Sequence, residues 1–319
     1  MEMGIPWDQP LPDDMKEKVK QYCCNDVIAT EAVFEHNIAD FNARLILADL
    51  SGLTANDTTN SHSKRFIFGK ERHPQSEFIY TDLSTIFPGY EYNPYGIDKS
   101  RYNPDAKIVN GKSIYKGQDP SEGGFVYAEP GVYGNVGLYD IASMHPTSIE
   151  CLNLFGDKYT AKFSAIKNAR LAIKHLSIAY ENNDQNAIEK LSDELAGMFD
   201  GKLVKYIGNP EQLKPLSGAL KIVINSVYGL TSAKFENEFK DPRNVDNIVA
   251  KRGALFMIEL KDACEKAGYK VVHIKTDSIK IANANDEIRD FVMEFGKKYG
   301  YTFEHEATYD KMCLVNDAV

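Results

Sequence analysis

Asp140 and Asp277 are two carboxylates whose sequence settings would allow them to hold a metal ion. Asp140 closes the run Val136-Gly-Leu-Tyr-Asp140, which reads as a strand. A turn through Ser143 and Pro146 follows, and then a helical run from Thr147. A rigid sheet fixes a carboxylate at the end of a buried strand, which suits metal binding. The same position equally suits an aspartate that caps the next helix. Asp277 lies in Lys275-Thr-Asp-Ser278, between Tyr269–Ile274 and Ser278–Ile281, two runs that read as the strands of a hairpin. A tight turn there would lift Asp277 to the rim of the sheet.

Positive charge is concentrated between these aspartates. From Lys158 to Lys234 there are eleven Lys/Arg and seven Asp/Glu, a net +4 in a chain of −9, and no acidic residue falls between Lys158 and Tyr180. Two long helices are expected in this stretch. The first runs from about Ala161 to Tyr180, with Lys167, Arg170 and Lys174 at i, i+3 and i+7 on one face. Glu181-Asn-Asn-Asp184 interrupts the pattern, and a shorter helix follows. The second long helix starts after Pro215. Leu216, Leu220, Val223, Val227 and Leu230 form its apolar stripe, with Lys221, Asn225 and Tyr228 beside it. Such basic rows are usually solvated faces. A local basic face in an acidic chain also suits a triphosphate better than a long duplex, which calls for an extended basic surface.

The remaining elements must position these groups. A loop with Pro6, Pro10 and Pro12 leads to a helix from about Asp13, which carries Tyr22 and Asp26 on one face. Residues 46–135 are turn-rich, with short strands expected at Arg65–Phe68 and Phe125–Ala128. Gly123-Gly124 precedes the second of these and reads as a β-turn. Val249, Gly253, Phe256, Leu260, Ala263 and Ala267 make a helical stripe stopped by Gly268, and another helix is expected over Asp286–Tyr299. A chain of 319 residues, 43% hydrophobic and 26% charged, is an ordinary globular composition. No run approaches the roughly 18 apolar residues of a membrane span, and the acidic, polar N-terminus does not read as a signal peptide. Five cysteines without a C-x-x-C pair argue against structural zinc and a disulfide framework and fit a reducing cytoplasm.

Three stretches, in order and at plausible separations, resemble motifs A, B and C of the family B DNA polymerases, in their phage-type form. Asp-Ile-Ala-Ser-Met-His-Pro146 is similar to D-x-x-S-L-Y-P, Lys221-Ile-Val-Ile-Asn-Ser-Val-Tyr-Gly229 matches K-x-x-x-N-S-x-Y-G, and His273-Ile-Lys-Thr-Asp-Ser278 is similar to Y-G-D-T-D-S. The resemblance implies an α+β fold: an antiparallel palm sheet backed by helices, with a helical-hairpin fingers subdomain. It divides the chain into 1–45, the C-terminal remnant of a 3′–5′ exonuclease domain; 46–157, linker and first part of the palm; 158–234, fingers; and 235–319, second part of the palm. Ile5-Pro-Trp-Asp with Tyr22-x-x-x-Asp26 resembles the last exonuclease motif, but two-metal hydrolysis needs several converging carboxylates and Asp26 alone does not supply them. The resemblance implies that the thumb is absent, that chains carrying it and the exonuclease N-terminal part are possible partners, and that the chain works in the cytoplasm, the host's if phage-encoded.

The activity so implied is template-directed DNA synthesis from dNTPs on primer–template DNA, with two Mg²⁺ ions, or Mn²⁺ as a substitute. By the same resemblance Asp140, the Ile141 carbonyl and Asp277 hold the ions. Ser143, Met144, His145, Arg170, Lys174, Lys221, Asn225 and Tyr228 bind nucleotide, and Gly123, Gly124, Gly229 and Thr276 contact DNA. Two positions depart from the pattern. His145 replaces the Tyr that the family stacks beneath the sugar to exclude a 2′-hydroxyl. Lys275 replaces the first Asp of motif C, and a charged lysine cannot ligate Mg²⁺. An RNA-synthesising palm is disfavoured by motif B. A catalytically silent remnant that binds DNA or a partner stands as the alternative.

Overall fold

The computed structural model describes residues 8, 10–92, 108–109 and 112–315. The Ile5-Pro-Trp7 part of the exonuclease-like stretch and the last four residues lie outside them. In chain order the helices are α1 (Lys16–His36), α2 (Ile38–Ser51), α3 (Thr59–Ile67), α4 (Met144–Cys151), α5 (Gly156–Glu181), α6 (Gln185–Ala196), α7 (Val204–Ile207), α8 (Pro210–Thr231), α9 (Ile248–Lys266) and α10 (Asp286–Lys298). The strands are β1 (Ile108–Val109), β2 (Lys112–Ser113), β3 (Val126–Ala128), β4 (Gly131–Ile141), β5 (Val271–Lys275), β6 (Ser278–Ile281) and β7 (Phe303–Leu314). The fold is α+β. β1 and β2 form a small ribbon, and the other five strands form one antiparallel sheet in the order β3-β5-β6-β4-β7. No helix among the described residues is long and apolar enough to cross a membrane.

Two compact units divide the chain: Met1–Asp57 with Ala172–Ala219, and Thr58–Leu171 with Leu220–Val319. The first is helical. Ala43, Ile46, Leu47 and Leu50 of α2 are buried, as are Leu176, Leu195, Leu203, Leu213 and Leu216. The Lys202 ammonium donates to the Leu50 carbonyl at the end of α2, where the helix leaves carbonyls without intrahelical partners. Asp49 pairs with Lys205 at 2.6 Å and accepts from the Tyr206 hydroxyl at 2.7 Å. α1 buries none of its residues.

The second unit is built on the sheet. One face packs on helices through Tyr139, Ile141, Ile274, Ile279 and Ile281, all almost fully buried. Behind it, α9 buries residues on every side from Ile248 to Leu260, so the single apolar stripe expected there understates a helix that runs through the core. At its far end Ala267, counted in that stripe, is exposed. Phe256 of α9 meets the Tyr301 ring at 4.6 Å and the Tyr299 ring at 5.3 Å. A second aromatic cluster gathers Phe68, Phe78, Phe155, Tyr159 and Phe239, with the Phe68 ring 4.7 Å from Phe239 and 5.0 Å from Tyr159.

Several expected boundaries move. Arg65–Phe68, expected as a strand, ends helix α3, which Thr58 starts by accepting the Ser61 N–H. The helix expected from Thr147 begins at Met144, with Pro146 in its first turn, where a missing N–H costs nothing. α5 begins at Gly156 rather than near Ala161. α8 begins at Pro210 rather than after Pro215, and Pro215 lies inside it. Proline suits a first helical position, and the Asn209 side chain accepts the Glu211 N–H at 3.0 Å. Tyr269–Ile274 shifts to Val271–Lys275 and Phe125–Ala128 shortens to Val126–Ala128, while Ser278–Ile281 is a strand as read. β7 was not anticipated. It pairs along the whole length of β4, with a register shift between Leu138 and Tyr139 that leaves Glu306 unpaired in a bulge.

Candidate active site at the rim of the sheet

β-Pairing places the open face of the sheet in rows. Directly opposed residues of an antiparallel pair share a face. The row at the rim therefore runs Val126, Lys275, Ser278, Asp140, Glu304 from β3 to β7. The row below runs Ala128, His273, Lys280, Leu138. Deeper still, Val136, Val272 and Ala282 form an apolar floor against Tyr133, Met312 and Leu314.

Asp140 and Asp277 come together at this rim. Asp277 sits in the β5–β6 turn, and its carbonyl accepts the Ile141 N–H at 2.9 Å, tying the turn to the end of β4. The turn is made by Thr276, whose φ of 56° is left-handed. Its N–H donates to the Phe125 carbonyl at 3.0 Å. Burial, followed by the charges of Asp277, Glu306 and Glu304, pushes the Asp140 carboxyl up to about 7, with Lys280 opposing. Among the described residues no three His, Cys, Asp or Glu side chains converge as a ready-made metal cage. The donors expected from the motifs are the two carboxylates and the Ile141 carbonyl. That fits Mg²⁺, which commonly takes one or two carboxylates and completes its shell with water and substrate phosphates.

Beyond the strand end, Ser143 takes a left-handed φ of 61° and starts α4 without using its hydroxyl as a cap. Its carbonyl accepts the Thr147 N–H at 3.0 Å. The N–H groups of the first turn, Met144 among them, have no carbonyl ahead of them in the helix. The Met144 side chain points the other way, into a space on α9 that exists because residue 253 is glycine; a Cβ there would stand 2.7 Å from the Met144 sulfur. His145 stacks on Tyr228 of α8, with ring centroids 4.0 Å apart and planes 12° from parallel. Burial lowers the His145 pKa, while Asp277 and a hydrogen bond to the Gly123 backbone raise it. Its Nε2 is buried without a protein partner.

The basic residues separate into distinct roles. Lys167 is engaged by the Glu150 carboxylate and by the Thr147 hydroxyl at 3.1 Å, a link between α5 and α4. Arg170, one turn on, has its Nε buried without a partner, and burial lowers its pKa. Lys174 follows on the same helix but belongs to the helical unit. On α8, Lys221 and Asn225 are exposed and Tyr228 is half-buried, beside the fully buried Leu216, Leu220, Val223 and Val227. Gly229 is exposed with open space around it. Tyr22 and Asp26 are exposed on α1, in the helical unit.

Gly124 has a steric reason to be glycine. Its φ is +155°, and a Cβ would stand 2.8 Å from the Thr276 methyl; at Gly123 nothing lies within 4 Å. Asn247 and Lys251 at the start of α9 donate to the Glu122 carbonyl at 3.3 Å and the Ser121 carbonyl at 2.5 Å, holding this loop from the other side. Sequence reading missed Lys280, His273, Glu304 and Glu306. Alternation of half-buried and buried residues along β6 carries the signal for Lys280. For the two glutamates, Glu-His-Glu306 follows a buried Phe303 on a strand that was not expected.

No family model matches the chain. It is 28% identical to DNA polymerase II of Escherichia coli (strain K12) over 173 residues, which are 52% of this chain and 21% of that protein. The chain thus spans about a fifth of the curated relative it matches. Among solved structures it aligns with the family B DNA polymerase of the hyperthermophilic archaeon Pyrobaculum calidifontis at a TM-score of 0.44 and 14% identity, over 96% of this chain and 37% of that one.

Proposed function

We propose that the chain performs template-directed DNA synthesis, joining dNTPs to a primer 3′-hydroxyl, as a polymerase of the family B type. The observation that carries this is the meeting of the three motif stretches in one unit: Asp140 and Asp277 at one rim through the Ile141–Asp277 hydrogen bond, and His145 against Tyr228. Similarity to a DNA polymerase over 173 residues supports it. The phage-type motifs suggest phage replication as the setting.

Asp140, Asp277 and the Ile141 carbonyl would hold Mg²⁺, with Mn²⁺ as a substitute. Held there, the metal would supply activation of the attacking hydroxyl and neutralisation of the departing pyrophosphate. Arg170 and Lys221 bind the triphosphate, Arg as a planar fork and Lys as a point charge, and Lys174 is assigned to the same task from the motif. Ser143 and the Met144 N–H bind phosphate oxygens at the first turn of α4. Asn225 and Tyr228 complete the nucleotide side. His145, backed by Tyr228, lies under the sugar and disfavours a 2′-hydroxyl. Gly123, Gly124, Thr276 and Gly229 approach primer–template DNA, where small residues let backbone come close. Primer extension tests the reading: Mg²⁺-dependent addition that Asp140→Asn and Asp277→Asn each abolish supports it, and addition that survives either variant overturns it.

The second reading, a silent module that binds DNA or a partner, is favoured by Lys275 standing in the rim row two positions from Asp140. DNA binding without any nucleotide addition, at high primer–template concentration and low salt, would establish it.

A further inference from the structure

We propose that the Lys280 ammonium is a built-in cation of the rim site, which weakens divalent-ion binding there in the nucleotide-free chain. The inference rests on the polymerase reading and deepens it.

The sheet register places Lys280. It lies opposite Leu138 on β4 and opposite His273 on β5. Asp140 lies opposite Ser278, two residues before Lys280, so Asp140 and Lys280 are diagonal neighbours on one face. Such neighbours lie about 7–8 Å apart at the backbone, within reach of a long side chain. His273 Nδ1 stands 3.0 Å from the Lys280 Nζ. A lysine ammonium has no lone pair to offer, so the imidazole accepts and braces it. Burial, followed by the charges of Lys280 and Lys275, holds His273 well below its usual range, at about 4. His273 therefore adds no charge of its own. Burial, followed by the Lys275 charge, lowers the Lys280 pKa, and Asp140 and Glu306 oppose this as attractive partners.

The charges around Asp140 are then Asp140, Asp277, Glu304 and Glu306 against Lys275 and Lys280. With all four carboxylates ionised, as ion binding requires, this is a net −2, and it would be −3 without Lys280. Lys275 closes the β5 side of the rim row, where it cannot act as a ligand while charged. The negative side of the face is the β4–β7 half, where the bulge at Glu306 brings an additional carboxylate toward Asp140.

The test is Mn²⁺ binding to the full chain, without nucleotide or DNA, followed by the electron paramagnetic resonance of free Mn²⁺. Lys280→Met is expected to bind the ion about tenfold or more tightly than wild type, because a unit charge close to a divalent ion is removed. Lys280→Arg, which keeps the charge, should return the affinity to that of wild type. Lys280→Gln serves as the second neutral variant if Lys280→Met loses its cooperative melt. Unchanged affinity in the neutral variants overturns the inference. Asp140→Asn separates the two readings: if it abolishes Mn²⁺ binding while the neutral Lys280 variants change nothing, the inference fails and the polymerase site stands. If Asp140→Asn leaves the binding intact, both fail.

Discussion

The imidazole of His145 lies flat against the phenol ring of Tyr228, 4.0 Å between centroids. The two residues are far apart in the chain, one in the first turn of α4 and the other near the end of α8. The stack joins the end of β4, where Asp140 sits, to the helix that carries Lys221. Aromatic pairs of this kind contribute about 0.5–1.5 kcal/mol beyond the area they bury.

Loss of the stack should loosen His145 and weaken the discrimination assigned to it. In Tyr228→Ala the preference for deoxy- over ribonucleotides is expected to fall roughly three- to tenfold, the factor that corresponds to about 1 kcal/mol. Tyr228→Phe, which keeps the ring, should retain it. Competing dNTP and rNTP additions on one primer–template give the ratio directly.

Asp140 makes the metal-free fold sensitive to pH. Its folded-state pKa is raised to about 7 from 3.8, so the folded chain holds the proton more tightly than the unfolded one. The stability this confers is complete below about pH 4 and is lost as the pH rises through 7. Asp140→Asn should therefore melt higher than wild type at pH 8 in EDTA and equally at pH 4. Because the residue is partly exposed, a gain of about 1–2 kcal/mol is expected rather than the full value of the shift. Mg²⁺ at pH 8 should raise the wild-type melting temperature and leave the variant unmoved.

The basic row on α5 should divide by function. Lys167 is held by Glu150 and Thr147, so Lys167→Met is expected to destabilise the fold by about 1–2 kcal/mol in chemical denaturation. Apparent nucleotide affinity should barely change. Arg170→Ala and Lys221→Ala should do the reverse and weaken nucleotide binding about ten- to a hundredfold, the worth of a charge-assisted phosphate contact. Nucleotide titration against a fixed primer–template, beside a melt of each variant, separates the two classes.

The glycine pair before β3 should prove unequal. Gly124→Ala places a methyl against Thr276 at a backbone angle few side chains adopt and is expected to cost about 1–3 kcal/mol. Gly123→Ala meets open space and should fall within about 0.5 kcal/mol of wild type. Thermal melts of the two variants decide this, and equal losses would show that the turn, rather than the Thr276 contact, sets the requirement.

Local pattern was enough to read much of this protein. The apolar stripe of α8, the hairpin around Asp277 and the strand ending at Asp140 follow from periodicities of 3.6 and 2 and from turn residues, all of which depend on near neighbours in the chain. The order of the three motifs singles out Asp140, Asp277, His145 and Lys221 without reference to any contact. Boundaries were less legible, because the start of a helix depends on a few capping contacts, as at Thr58 and Asn209. Only the tertiary structure decided which charges act on one another. Lys167 and Arg170 are alike in sequence, yet one is spent on Glu150 and the other has its Nε buried without a partner. Glu304 and Glu306 reach Asp140 because β7 pairs with β4 across more than 160 positions of chain. Lys280 meets His273 and Asp140 through the register of three strands. Strand register is fixed by which faces are buried together, and that is a property of the folded sheet rather than of any stretch within it.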